Sequence, residues 1–167
     1  MQNFGLKIIL ALMFSLVCYS QDLSGKVIKI YDGDTITIMA KEKIKVRLFG
    51  IDAPELKQEF GKESREHLEE LCPLNKEAKI KVVSKDRYKR AVGIVYCNGI
   101  EVNANQVESG YAWAYRHYSK KYIPLELNAR SKKIGLWSKK AIEPRVYRDY
   151  GRKFDYNEWA KIRGNVK

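Results

Sequence analysis

The sequence predicts an α+β domain: a five-stranded β-barrel of the OB-fold type carrying about three helices. Three observations point there. Short alternating strand patterns recur through the first hundred residues with tight turns between them. Helical patterns with one apolar face are interspersed among those strands. The chain has 167 residues with 45% apolar content, enough for one packed domain and too apolar for a wholly disordered chain.

The N-terminus reads as an address. Residues 1–20 carry a single charge, Lys7, then the apolar run Ile8–Val17, and end Cys18-Tyr19-Ser20. Small residues at Cys18 and Ser20 fit the −3 and −1 positions of a signal-peptidase site. The run is shorter than the ~20 residues of a membrane span. A buried N-terminal helix or an anchor is the alternative. A lipoprotein anchored through Cys18 is disfavoured by the bulk of Val17. The expectation is a protein exported to the periplasm or the medium, with no stable membrane association once 1–20 is removed.

The barrel strands follow in order. Lys26–Tyr31 is rich in β-branched residues and ends at the turn Asp32-Gly33-Asp34. Thr35–Met39 alternates Ile36 and Ile38 against Thr35 and Thr37. After Lys41-Glu42-Lys43, Ile44, Val46 and Leu48 alternate with Lys45, Arg47 and Phe49. These three read as a meander. Gly61–Cys72 reads as a helix with Ser64, Leu68, Leu71 and Cys72 on one face, stopped by Pro73 and Asn75. Lys79–Val83 and Ala91–Cys97 are further strands. Asn98-Gly99 makes a tight hairpin into Ile100–Val102, since both positions favour positive φ. Asn103 starts a second helix, with Gln106 completing a capping-box-like pair and Gly110 at its C-terminal end. A third helix runs from near Pro124 to Gly135.

Residues 138–167 form a basic, aromatic-rich extension to the 21–137 domain. It holds nine Lys and Arg against four acidic residues, with Tyr147, Tyr150, Phe154, Tyr156 and Trp159 interleaved. Such a stretch binds polyanions or wraps the barrel through its rings. The whole chain carries 32 Lys and Arg against 20 Asp and Glu, a charge of +12. That balance favours a polyanionic partner: nucleic acid, an anionic membrane surface or an acidic polysaccharide. Three cysteines exclude a disulfide-built scaffold and a four-thiolate zinc site. Cys72 and Cys97 remain after residues 1–20. In an oxidising compartment they can pair, and otherwise they are two buried thiols.

The chemistry is carried by a few carboxylates in this basic chain. Asp34 closes the first hairpin turn, and Asp52 follows the third strand in Gly50-Ile51-Asp52-Ala53-Pro54-Glu55. A meander can bring such ends together. Two carboxylates with backbone carbonyls and water suit a hard cation, Ca²⁺ or Mg²⁺. Glu55 is placed to hold or deprotonate a water. Arg47 and Arg90 offer guanidinium groups that bind phosphate oxygens bidentately. Each signal alone is weak, because Asp-Gly-Asp is usually only a turn.

Together, in their order and spacing, they resemble the staphylococcal nuclease (thermonuclease) family of secreted nucleases. The matching pieces are Asp32-Gly33-Asp34-Thr35, Arg47-Leu48-Phe49-Gly50-Ile51-Asp52-Ala53-Pro54-Glu55 and Asp86-Arg87-Tyr88-Lys89-Arg90. Val102-Asn103, Gly110-Tyr111-Ala112 and Gly135-Leu136-Trp137 match as well. The resemblance spans about Gly25 to Trp137.

It implies a five-stranded OB barrel and a Ca²⁺-dependent phosphodiesterase acting as a monomer on DNA and RNA. Asp34, Asp52 and the Ala53 carbonyl would hold the metal. Arg47 and Arg90 would contact the scissile phosphate, and Glu55 would orient or activate water. Arg87, Tyr88, Tyr115 and Tyr118 would line the nucleotide pocket. Cleavage would fall on the 5′-oxygen side, leaving 3′-phosphate ends. The chain departs from the family pattern in places. Ala53 stands for Thr, Lys89 stands for Gly, Leu56–Phe60 is a shorter loop, and one extra residue lies near Tyr115–Tyr118. Two other readings compete. One is a non-catalytic nucleic-acid-binding barrel, which the full carboxylate–arginine set argues against. The other is a basic protein binding anionic polysaccharide, which leaves that set without a purpose.

Overall fold

Alternating residues close a barrel, and the barrel sets the site at one rim. The computed structural model describes residues 22–150; the proposed leader 1–20 and the extension beyond Tyr150 lie outside them. The order is β1 (Leu23–Asp32), β2 (Thr35–Met39), β3 (Lys43–Leu48), β4 (Ile51–Asp52), α1 (Gly61–Leu71), β5 (Glu77–Lys85), β6 (Ala91–Cys97) and β7 (Ile100–Glu101). Then come α2 (Val102–Glu108), β8 (Trp113–Ala114), α3 (Ile123–Ser131), a 3-10 turn (Gly135–Ser138) and α4 (Pro144–Tyr150).

β1, β2 and β3 form the antiparallel meander, and β1 also pairs with β5, which pairs with β6. β6 then returns to β3 in parallel, through Val46↔Ala91, Arg47↔Val92 and Leu48↔Gly93. That pairing closes five strands and removes the open edges. Irregularities in β1 (Val27/Lys29, Ile30/Asp32) and β5 (Val82/Ser84) supply the bends closure needs. Inward positions follow the period of two: Ile36 and Ile38, Val46 and Leu48, Ala78 and Ile80, Val95 and Cys97 are all buried. Gly93 is one of these positions. A Cβ there would lie 2.6 Å from Ile80 Cγ2 and 2.7 Å from the Lys81 carbonyl oxygen, so the wall admits no side chain.

α1 lays Ser64 and Leu68 against the barrel, and buried Cys72 follows at its C-terminal end. Cys72 is joined to Cys97, with Cα atoms 5.3 Å apart. The bridge ties the end of α1 to the end of β6 and stabilises by ~3 kcal/mol in the chain-entropy account. The Asn98-Gly99 turn has φ of +52° and +80°, the positive values expected of that pair.

Three local expectations are corrected. α2 begins at Val102, with Glu101 before it and no side-chain cap. Asn103 and Gln106 therefore form no capping box. Three residues apart on a helix they share a face, and here that face is fully buried. Buried backbone groups of the Gly33 and Phe49 turns, of β6 and of α1 claim both amides. Asn103 Nδ2 donates to the Phe49 and Gly93 carbonyls (2.9 and 3.2 Å), and its Oδ1 accepts Val95 N–H (2.9 Å). Gln106 Nε2 donates to the Gly33 and Ser64 carbonyls (2.6 and 3.0 Å), and its Oε1 lies 2.5 Å from His67 Nδ1. Second, α3 ends at Ser131 rather than Gly135, because Lys133 leaves the helical region at φ +54°. Third, α4 adds a fourth helix within the extension. Among the described residues no helix is long and apolar enough to cross a membrane.

Gln106 links α2, α1 and the β1–β2 turn. Gln106→Ala leaves the Gly33 carbonyl without its amide donor in the core, and the expected loss is ~2 kcal/mol. Urea unfolding checks it: the midpoint should fall while the slope stays constant.

Candidate active site

The site begins at the β1–β2 turn. Gly33 is pressed between Ala53 and Ser64 of α1; a Cβ on it would come within 2.9 Å of Ala53 Cβ and overlap the Ser64 side chain. This close approach aims Asp34 at the end of β3. Asp34 Oδ1 accepts the Thr35 hydroxyl (3.0 Å), and Oδ2 accepts the Ala53 N–H (2.7 Å). Asp34 and Asp52 are only 4% and 3% exposed. Two carboxylates so deeply buried need a countercharge. Arg47 on β3 provides it: Nη1 meets Asp34 Oδ2, and Nη2 lies 2.8 Å from Asp52 Oδ1. Burial pushes the Arg47 guanidinium down, while Asp52 and Asp32 pull it back up. It stays charged regardless.

Asp52 is held by a chain of contacts behind it. β4 pairs with β8 through Ile51↔Ala114 and Asp52↔Trp113. β8 is fixed in turn by Glu126 of α3, a fully buried carboxylate. It accepts Ala114 N–H (2.7 Å), Arg116 Nη2 (2.9 Å) and Arg130 Nε (2.8 Å).

Glu55 lies in the loop after β4, where its N–H donates to Gln58 Oε1 (3.2 Å). Its carboxylate is bound by Arg148 of α4, with Nη1 2.9 Å from Oε1. The same guanidinium reaches Asp52, with Nη2 3.0 Å from Oδ2 and Nη1 3.2 Å from Oδ1. Burial alone would lower Arg148, but hydrogen bonds and charge from Asp52 and Glu55 outweigh it and raise its pKa.

The other sequence-nominated residues lie on the turn between β5 and β6 and in the segment after β8. Arg90 precedes β6, next to β3, and puts Nε 2.6 Å from Asp86 Oδ2 rather than on the acidic pair. It is close enough to Arg47 and Asp32 to act on both electrostatically. Lys89, at the family's glycine position, takes φ +62°. Asp86 Oδ1 secures that turn by accepting the Tyr88 and Arg90 N–H groups (2.9 and 3.0 Å). Arg87 and Tyr88 are on its exposed tip, with Arg87 Nη2 2.7 Å from the Tyr88 hydroxyl. Tyr115 follows β8, and its N–H donates to the Gly50 carbonyl (2.8 Å). Its ring meets that of exposed Tyr118 edge-on at 4.9 Å. Tyr115 and Asp52 both line a cavity of about 180 Å³ bounded by Trp113, Arg130 and Arg145.

Residue-by-residue reading missed three participants. Asp32 accepts Asp34 N–H (3.1 Å). Burial raises its carboxyl pKa, and Arg47 and Thr35 only partly offset that. Its signal was the Asp-Gly-Asp triplet itself. Glu126 and Arg148 had no local signal, since their meaning comes from contacts distant in sequence.

The donor set suits a hard cation. A carboxylate accepts about four hydrogen bonds, and Asp34 and Asp52 each use three in the contacts above. Capacity remains on Asp34 Oδ1 and Asp52 Oδ2. Oxygen donors of this kind match Ca²⁺ or Mg²⁺ and not a soft metal. Among the described residues no three His, Cys, Asp or Glu side chains are grouped to hold an ion by themselves. Backbone oxygen and water would complete the shell.

Fold and site together define an OB-type barrel with an acidic, arginine-bridged centre at its rim. The model of the staphylococcal nuclease homologue family matches residues 45–139, and the chain belongs to that family. A Haemophilus influenzae protein described as an uncharacterized endonuclease is 40% identical over 146 residues, covering 83% of this chain and 82% of that one. A Shigella flexneri micrococcal nuclease is 38% identical over 131 residues, covering 70% and 75%. An Escherichia coli O157:H7 protein, also described as an uncharacterized endonuclease, is 38% identical over 130 residues, covering 75% and 84%.

Proposed function

We propose that the protein is a nuclease that hydrolyses phosphodiester bonds of DNA and RNA with little sequence preference, using Ca²⁺, as an exported monomer. One observation carries the reading. Arg47 clamps the buried pair Asp34–Asp52 beside Glu55, so anionic ligands for a cation, a phosphate-binding cation and a water-handling carboxylate share one rim. The family and the names of its relatives support the same reaction class.

Asp34, Asp52 and the Ala53 carbonyl would hold the metal, which supplies Lewis-acid stabilisation of phosphate charge when bound. Arg47 and Arg90 bind the non-bridging oxygens and offset charge that grows in the transition state. Glu55 orients a water for in-line attack on phosphorus and draws off its proton. The 5′-oxygen leaves and takes a proton from solvent to become a 5′-hydroxyl, giving a 3′-phosphate end. Arg87, Tyr88, Tyr115 and Tyr118 offer guanidinium and ring faces to the nucleotide. Such contacts tolerate any base, hence the weak sequence preference. The surplus positive charge attracts the polyanion and makes binding salt-dependent.

The test is digestion of plasmid DNA and a structured RNA with Ca²⁺, with and without chelator. Cleavage of both substrates that chelation stops is the expected result. Cleavage that survives chelation would remove the metal from the reading. Mass spectrometry of secreted protein should find a mature chain beginning at Gln21.

A further inference from the structure

The family match ends at residue 139, yet the acidic centre is completed from beyond it. The segment after the 3-10 turn runs back along the Glu55–Phe60 loop. Lys139 Nζ lies 3.3 Å from Glu59 Oε1, and Gln58 Nε2 donates to the Ile142 carbonyl (2.6 Å). Gln58 is the residue whose Oε1 also holds Glu55 N–H. α4 is thereby docked on the loop that carries Glu55, and Arg148 projects from it onto two acids at once. Resting on the nuclease reading above, we propose that Arg148 is a positioning residue of the active site, supplied by the C-terminal extension, which sets the Glu55 carboxylate against Asp52.

Glu55 has a side chain 39% exposed on a loop, so it needs an anchor to keep one rotamer. Asp52 beside it is buried and of like charge. One guanidinium bound to both offsets the repulsion between the two carboxylates, and its planar fork fixes their relative orientation. Arg47 repeats this arrangement between Asp52 and Asp34, meeting the same Asp52 Oδ1 that Arg148 Nη1 reaches. The centre is a row of three carboxylates separated by two arginines, and the second arginine comes from the extension. Lysine in its place would keep the charge without the fork.

The test uses the full chain and compares Arg148→Gln and Arg148→Lys with the wild type. Displacing a catalytic group by about an ångström costs ~100-fold in rate. Arg148→Gln should lose about that in kcat with KM for DNA changed less than about threefold. Arg148→Lys should recover part of the loss. In a Glu55→Ala background, Arg148→Gln should cost almost nothing more, because its target is gone. Calorimetric titration with Ca²⁺ should show affinity kept or tightened in Arg148→Gln, since a positive charge beside Asp52 has been removed. Full kcat in Arg148→Gln overturns the proposal. So does a loss that persists undiminished in the Glu55→Ala background, or one matched by lost Ca²⁺ binding, since either makes Arg148 a scaffold residue. A wild-type chain that cuts neither DNA nor RNA defeats the nuclease reading itself. An active wild type with an equally active Arg148→Gln defeats only this role.

Discussion

Glu55→Gln is expected to lower kcat for DNA cleavage by ~10³-fold while the protein folds normally and binds DNA nearly as well. The size follows from the role: removing a positioned general base costs ~10²–10⁴ in rate. The amide has almost the same volume as the acid and can still accept a hydrogen bond from Arg148. What it loses is the charge that, in the proposed role, draws a proton from water. Stability should change little, because Glu55 is half-exposed and lies in a loop. KM should hold within about threefold, since Glu55 opposes rather than binds a phosphate. Steady-state cleavage of a fluorogenic oligonucleotide, with a thermal melt alongside, measures both. A variant within tenfold of wild-type kcat would mean that Glu55 does not handle the attacking water. Glu55→Asp would separate charge from reach, because it retains the first and shortens the second.

The barrel was legible because its information is local. Ile36 and Ile38, or Val46 and Leu48, announce a strand within five residues, and short turns leave few ways to connect them. The parallel closure of β3 on β6 has no such signature, and β4 and β8 have two residues each, too few to show a period. Asn103 and Gln106 misled for a related reason. Their spacing obeys a local capping rule, but loops tens of residues away offered better partners to both amides.

The site divides the same way. Asp34, Arg47, Asp52, Ala53 and Glu55 lie within 22 positions and share a recognisable order. Glu126 and Arg148 do not. Arg148 reaches Asp52 across 96 positions from a stretch whose charges and rings read equally as a polyanion-binding tail. Its composition states that something is bound there and cannot state what. In the described part, up to Tyr150, that something includes the acidic centre of the domain itself.

Arg47→Ala should be the most damaging single change to the folded state, and it also reaches the chemistry. Arg47 bridges two carboxylates that are almost wholly out of water. Removing one partner of a buried ion pair costs ~3–5 kcal/mol, because the remaining charge is left without compensation. Asp34 would retain the Thr35 hydroxyl and the Ala53 N–H, and Asp52 would retain Arg148. These soften the loss without removing the repulsion between the two acids. The midpoint of thermal unfolding should fall on the order of 10 °C. Arg47→Lys should lie between, keeping the charge but offering a point donor where a fork spans two acids. Calcium then becomes diagnostic. A ligand that binds only the native state stabilises it in proportion to its occupancy. With the competing guanidinium gone, added Ca²⁺ should raise the midpoint of Arg47→Ala more than that of the wild type. Cleavage should stay ~10²–10³-fold below wild type even at saturating Ca²⁺, because the cation can replace the charge between the acids but not the donors aimed at the phosphate. If Ca²⁺ restored stability and activity together, Arg47 would be only a placeholder for the metal. Stability recovered while activity is not is the signature of a residue that holds the resting site together and then binds the substrate.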